Sequence, residues 1–289
     1  MKKRFIFLLL VILVFSGCIN IQNINNYANS SVSSLEKFQS LPFSYTENCT
    51  DRCLMNNIDS SLIKRSDECN CRLYIKADSI SNLIINYIRL YFVCIANISD
   101  KNSNNITYLP IYTSLTENTY GTTNAEGNFK GIKISHSDVG AVDTLLSAMS
   151  NTLLNIYKIK KLKLFITQSN PSLQIILTKL KVITNNLNNE LSFREEVIYS
   201  HYRKLVLTNV ISAFEKEKIV VDYYNQLNTI ENKKAQMSLF STSLDIIADG
   251  HQKLFENKEK LTAVSIAKSI ANNAATIKSV IVSINRLQK

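Results

Sequence analysis

The chain has 289 residues and 45% hydrophobic content, which excludes a disordered polypeptide and is enough for one large domain or two small ones. Its formal charge of +10 is uneven: residues 18–135 carry ten Lys/Arg and ten Asp/Glu, residues 136–289 twenty and thirteen. No Walker loop, dinucleotide glycine fingerprint, G-x-S-x-G or H-E-x-x-H is present, so the chemistry those motifs mark has no sequence support.

The chain opens on Lys2, Lys3 and Arg4, followed by an apolar run from Phe5 to Phe15 and then Ser16-Gly17-Cys18. The run is of signal-peptide length and too short to span a bilayer as a helix. The ending resembles the lipobox of bacterial lipoprotein signal peptides, although Phe15 stands where that pattern usually has Leu. The resemblance covers about the first eighteen residues. It implies a signal peptide over residues 1–17 and a lipidated Cys18 as the first mature residue. Each buried CH₂ of such a lipid contributes about 0.8 kcal/mol, so several acyl chains hold a protein on a membrane without a spanning helix. Ile19 replaces the Asp that retains lipoproteins in an inner membrane. In a host with two membranes the resemblance therefore implies the outer one.

Residues 18–33 are Asn- and Ser-rich and read as a lipidated tether. Residues 34–98 read as a disulfide-stapled helical region. Cys49, Cys53, Cys69 and Cys71 cluster there, and exported thiols oxidise. Four cysteines allow three pairings. The nested one, Cys49–Cys71 with Cys53–Cys69, staples an antiparallel hairpin without adjacent-residue strain. A zinc site is the rival reading, but C-x-x-x-C and C-x-C spacings suit tetrahedral ligation poorly. An apolar helix is expected over 79–98, packed rather than membrane-spanning because it holds Asn86 and Arg89, with Cys94 as a small buried hydrophobe. Residues 99–134, with three glycines, a proline and β-branched alternation, read as an irregular loop with one hairpin.

Residues 135–289 read as a long helical bundle. Ser135 or Ser137 can cap a first helix, with Asp138 in its first turn. That helix should run through Leu146, Met149, Leu153 and Ile156 and stop before Asn170-Pro171. Only one glycine and no proline follow Pro171. Three helices are expected, over about 172–214, 216–257 and 261–287. Their apolar stripes alternate at three and four residues: Ile176, Leu180, Ile183 and Leu187; Tyr223, Leu227 and Ile230, then Met237, Phe240, Leu244, Ile247, His251 and Leu254; Ala263, Ala267, Ile270, Ala274, Ile277, Ile281 and Ile284. Such spacing is the coiled-coil seam of helices packed lengthwise. The expected fold is thus all-α: an elongated antiparallel bundle with a small stapled N-terminal subdomain.

Candidate site residues are few. His136, His201 and His251 lack the spacing of metal ligands, so no metal, cofactor or catalytic residue is assigned. Gly250-His251 is the most distinctive local pair, since glycine within a helix costs about 1 kcal/mol relative to alanine. The simpler reading of His251 is a bundle histidine bonded to a neighbouring helix. Glu195 and Glu196 beside His201, Tyr202 and Arg203 read as a solvated charged helix face rather than an acid-base pair, with His201 and Arg203 as candidate binding residues. Lys260, Lys268, Lys278, Arg286 and Lys289 fall within an arc of about 80° with no carboxylate from residue 260 onward. They form an anionic-surface candidate or pair with Asp245, Asp249 and Glu256. Three functional classes compete: a lipid-anchored interaction or scaffold module of the cell envelope, an envelope enzyme such as a cell-wall hydrolase, and a membrane-active helical protein. The first requires no catalytic group. Its partners would be the membrane, through the Cys18 lipid, and an envelope protein or anionic surface. Nucleic acid is not expected, for want of a basic-aromatic motif and because the chain reads as exported.

Overall fold

The computed structural model describes residues 2–56, 65, 68–100, 115–120, 131–151, 158–207 and 211–288, with side chains from residue 21 onward except at 56, 118–120 and 151. Among these residues the fold is all-α apart from one small ribbon. In chain order the helices are α1 (Lys2–Gln39), α2 (Tyr45–Asn56), α3 (Arg72–Ser99), α4 (His136–Asn151), α5 (Lys158–Leu207), α6 (Ala213–Glu256) and α7 (Val264–Arg286). The ribbon pairs β1 (Asn118–Tyr120) antiparallel to β2 (Ile132–Ile134), with Thr119 opposite Lys133. This is the hairpin expected within 99–134.

Side-chain partners give the helix directions. Along α5 and α6, Lys163 meets Glu259 just beyond α6, Asn170 meets Gln252, Lys181 meets Asp245, and Glu195 meets Lys234. The two helices therefore run antiparallel over almost their whole length. At 1.5 Å per residue α5 is about 75 Å long, so the molecule is a rod. Asn25 bonds the carbonyl of Ala96 and Glu36 pairs with Arg89, so α1 and α3 are also antiparallel. α1, α3, α5 and α6 surround the central core. α7 lies along α1 and α6, α4 along α5, and α2 across α5 and α3. The expected stripes are the buried ones: Ile176, Leu180, Ile183 and Leu187 on α5, Phe240, Leu244, Ile247 and Leu254 on α6, Ile270, Ile277 and Ile284 on α7. Each buried isoleucine or leucine contributes about 1.5–3 kcal/mol.

Three expectations are corrected. Residues 21–33 are not a tether. They belong to α1, whose Ile24, Tyr27, Ala28, Ser31, Ser34 and Leu35 are buried at helical spacing. The serines misled because they are polar by composition. In the helix Ser30 and Ser31 bond the carbonyls of Asn26 and Tyr27 one turn back, and their small size lets helices approach closely. The α6 stripe expected from Tyr223 and Leu227 onward is closed in only from Ile230, those two side chains being half-buried, and the stapled region 34–98 shares the bundle's core, to which α1 and α3 supply two walls. Finally, Pro171 does not end a helix. α5 runs through it from Lys158, and the proline simply leaves one helical hydrogen bond unmade. The packing around Ser169 and Asn170 holds the chain helical there. The stretch that would have joined α4 to α5, with Leu153 and Ile156, lies outside the described residues.

The nested disulfides are present, Cys49–Cys71 buried and Cys53–Cys69 nearer the surface. They tie the middle and second half of α2 to the start of α3. Cys94 is buried and unpaired, with burial pushing its thiol pKa up to about 12. α3 is long and apolar enough to cross a membrane, and two-thirds of its apolar window, 67%, is buried inside the bundle. At the start of α4, Ser135 and Asp138 bond each other's backbone N–H at 2.8 and 3.4 Å, the cap expected there. Burial raises the Asp138 pKa, but hydrogen bonds from Ser135 and Lys179 outweigh it and leave the carboxyl below its ordinary range.

Candidate functional site

Gly250-His251 sits where four helices meet. His251 is fully buried. Its Nε2 lies 2.5 Å from the Tyr91 hydroxyl of α3, and its Nδ1 lies 2.7 Å from Oδ1 of Asn170 on α5. Asn170 donates from Nδ2 to Oε1 of Gln252 at 2.8 Å, so its Oδ1 is the acceptor. His251 therefore carries its proton on Nδ1 and accepts from Tyr91 at Nε2. Ser169 lies 2.9 Å from the same tyrosine oxygen. Burial pushes the His251 pKa down to about 3, so the ring is neutral at ordinary pH. From α1, Tyr27 donates to the carbonyl of Ile247 at 2.5 Å, and its ring fills the space beside Gly250. A Cβ there would lie 2.6 Å from the Tyr27 ring and 2.9 Å from Asn273 Nδ2. The glycine thus allows α1 and α7 to close on α6. A histidine with no exposure meets no substrate. What this network does is fix the register of α1, α3, α5 and α6.

The basic arc faces outward. Lys260, Lys268, Lys278 and Arg286 are exposed, and among the described residues none meets a carboxylate. The carboxylates proposed for them are otherwise engaged: Asp245 with Lys181 at 2.7 Å, Asp249 with Lys253 at 2.6 Å, and Glu256 with Gln252. Lys289 lies outside the described residues.

A third feature is the end of the α5–α6 hairpin. α2 forms a collar beneath it: Arg194 of α5 pairs with Asp51 at 2.7 Å, Lys233 of α6 with Glu47 at 2.7 Å, and Arg52 with Glu190 at 3.3 Å. Above the collar no residue of 199–207 or 211–229 is buried. α6 starts there from a capping box, Ser212 with Glu215, which places Phe214 at the start of α6 rather than at the end of the preceding helix. The tip is a two-helix projection. Tyr199, Tyr202, Arg203, Val206, Leu207, Ile219, Val220 and Tyr223 line a groove on it. Tyr199 is 53% exposed, Leu207 66%, Phe214 63% and Tyr224 56%. Tyr202 donates to Asp222 and stacks obliquely near Tyr223, which binds the two arms together. His201 rests edge-on against Tyr202, and Glu195 pairs with Lys234 at 3.0 Å. Glu196 and Arg203 are exposed.

The structure thus separates the sequence candidates into three places. Gly250 and His251 are internal. Lys268, Lys278 and Arg286 lie on one side of the rod. His201 and Arg203 are at the tip. Tyr91 and Asn170 were missed as partners of His251, Tyr27 as the ring beside Gly250, and the exposed apolar tip as a surface. Its signal was the tyrosine density of 199–202 and 223–224, with Tyr223 and Leu227 continuing the expected α6 stripe. His136 lies exposed at the start of α4, its Nδ1 4.0 Å from Glu117. Among the described residues no group of three His, Cys, Asp or Glu is placed to hold a metal. The side chain of Cys18, and with it the lipidation site, lies outside the described residues. Comparison with known proteins finds no matching family model, no matching curated relative and no matching solved structure.

Proposed function

We propose that this protein is a lipid-anchored interaction module of the bacterial cell envelope, a helical rod held to a membrane at one end and docking a protein partner at the other. The observation that carries the reading is the opposition of two ends. α1 runs antiparallel to α6, with Tyr27 beside Gly250 and Ser34 bonded to Ser243. Continued at the same rise, residue 18 falls level with the α6–α7 turn. The tip stands about 65 Å away along α6. An anchor at Cys18 would therefore hold the base at the bilayer and carry the apolar tip away from it. Contiguous exposed apolar surface on a soluble domain marks an interaction site, and tyrosines with one arginine are the residue types that anchor interfaces.

The reading is tested on the full chain expressed in a bacterial host. Cys18→Ser should move the protein from the membrane pellet to the soluble fraction. Tyr199→Asp with Val220→Asp should leave it in the pellet, with helical content unchanged, but reduce the size of the complex released by mild detergent. A Cys18→Ser protein that stays in the pellet overturns the anchor. A complex of unchanged size in the tip variant overturns the docking role.

A further inference from the structure

The occupant of the tip can be read from its geometry. In the body of the rod, α5 and α6 are two walls of a four-helix core whose other walls are α1 and α3. α1 ends at Gln39, which lies near the Phe240 level of α6, because Phe38 stacks on Phe240. α3 begins at Arg72, near the Glu190 level of α5, where Tyr74 and Glu190 share Arg52. Past the α2 collar, beyond Ile198 and Ile230, α5 and α6 continue alone. The apolar seam continues with them, so the tip is a four-helix core lacking two helices.

We propose that a second copy of this chain supplies those two helices, its own α5–α6 tip packing antiparallel on the first about a two-fold axis. An isologous contact requires a self-complementary surface, and the charges meet that requirement. Glu196 and Arg203 are seven residues apart on α5, hence on one face within about 20° and about 10.5 Å apart along the axis. A two-fold axis crossing the helix midway between them sets each Glu196 opposite the Arg203 of the other copy. It brings the two Tyr199 side chains together near the axis. On α6 the same level lies close to residue 223, because Tyr202 meets Asp222 and Tyr199 lies beside Tyr223. Lys216 and Glu231 lie on either side of that level, each about 11 Å from it along the axis and about 60° apart around α6, so the same axis brings each Lys216 to the level of the other copy's Glu231. None of these four side chains has an ion partner among the described residues. One axis thus satisfies both helices, and Tyr199, Val206, Leu207, Val220 and Tyr223 are covered between them.

The contact rests on the tip being a docking surface and is independent of the lipid. If Cys18 is the anchor, the two rods point in opposite directions, with their anchors about 110 Å apart. That is the geometry of a tether between two surfaces.

Sedimentation of the full chain in non-ionic detergent, corrected for bound detergent, tests the proposal. The unmodified chain should sediment as a dimer at micromolar concentration. Glu196→Arg alone and Arg203→Glu alone should each raise the dimer dissociation constant about tenfold or more, because each sets like charges together twice. The two combined should restore it to within about threefold. Tyr199→Cys should give a disulfide-linked dimer on mild oxidation, and Val282→Cys, exposed on α7, should not. A monomer at all concentrations, a dimer indifferent to the single reversals, or a double reversal no better than the singles overturns the proposal. So does tip-dependent binding only to vesicles or to a different protein. Those last outcomes would leave the tip a docking site with another occupant, and so fail separately from the reading above.

Discussion

His251→Leu gives a test in which the sign changes with pH. The substitution keeps the volume roughly constant but removes both ring nitrogens. Tyr91 loses its acceptor inside the core, and a buried donor left unsatisfied costs about 1–3 kcal/mol. Asn170 Oδ1 loses its donor at 2.7 Å and keeps only Gln174 Nε2 at 3.4 Å. At pH 7 the variant should be about 2 kcal/mol less stable, a fall in melting temperature of about 5 °C for a chain of this size. Acid reverses the balance. The unfolded chain protonates its histidine below the ordinary value of 6.5, whereas burial holds the folded pKa near 3. Folding stability from the neutral ring is therefore complete above pH 6.5 and declines as pH falls, by about 1.4 kcal/mol per pH unit until about pH 3. At pH 4.5 the unmodified protein should have lost about 2.7 kcal/mol that the leucine variant, with nothing to titrate, retains. Guanidinium unfolding followed by far-ultraviolet circular dichroism should show the unmodified protein more stable by about 2 kcal/mol at pH 7 and the leucine variant more stable by about 0.7 kcal/mol at pH 4.5. A stability difference that stays the same at both pH values would refute the assignment of His251 as a neutral, doubly bonded core group.

Gly250→Ala should destabilise the fold despite the better helix propensity of alanine, because the new methyl would meet the immobile Tyr27 ring; a clash of about 1–3 kcal/mol outweighs a gain of about 1, and a raised melting temperature would show that α1 does not pack where described. Lys268→Glu with Lys278→Glu should shift melting by less than about 2 °C, since neither lysine has a carboxylate partner to lose, and should weaken adsorption to anionic vesicles in low salt; a large fall in melting temperature would place these lysines inside ion pairs. Reduction under native conditions should open Cys53–Cys69 before the buried Cys49–Cys71, read by alkylation and mass spectrometry, and the reverse order would contradict the placement of α2.

The bundle was legible because a 3-4 apolar spacing over long proline-free stretches permits few other structures, and α5 to α7 follow it closely. The disulfide pairing was legible for a similar reason: two close pairs can staple a helical hairpin in one unstrained way. What stayed hidden depended on tertiary partners. α1 reads as polar because its helix contacts use serine, alanine and a tyrosine. Pro171 reads as a stop because the bonds that hold the helix through it come from α3 and α6. The partners of His251 lie 160 and 81 residues away in sequence, and no local pattern announces them. The tip reads as an ordinary charged helix until the ends of α1 and α3 are known, for only then is its apolar face seen to be uncovered.

The claim that one end anchors and the other docks is tested most directly by photocrosslinking in living cells. A photoreactive residue is placed at position 199 on the tip and, in a second strain, at the exposed position 272 on the side of the rod. The account predicts a discrete adduct from position 199, none from position 272, and retention of both proteins in the membrane fraction. Adducts of equal yield from both positions, or none from position 199, would contradict it.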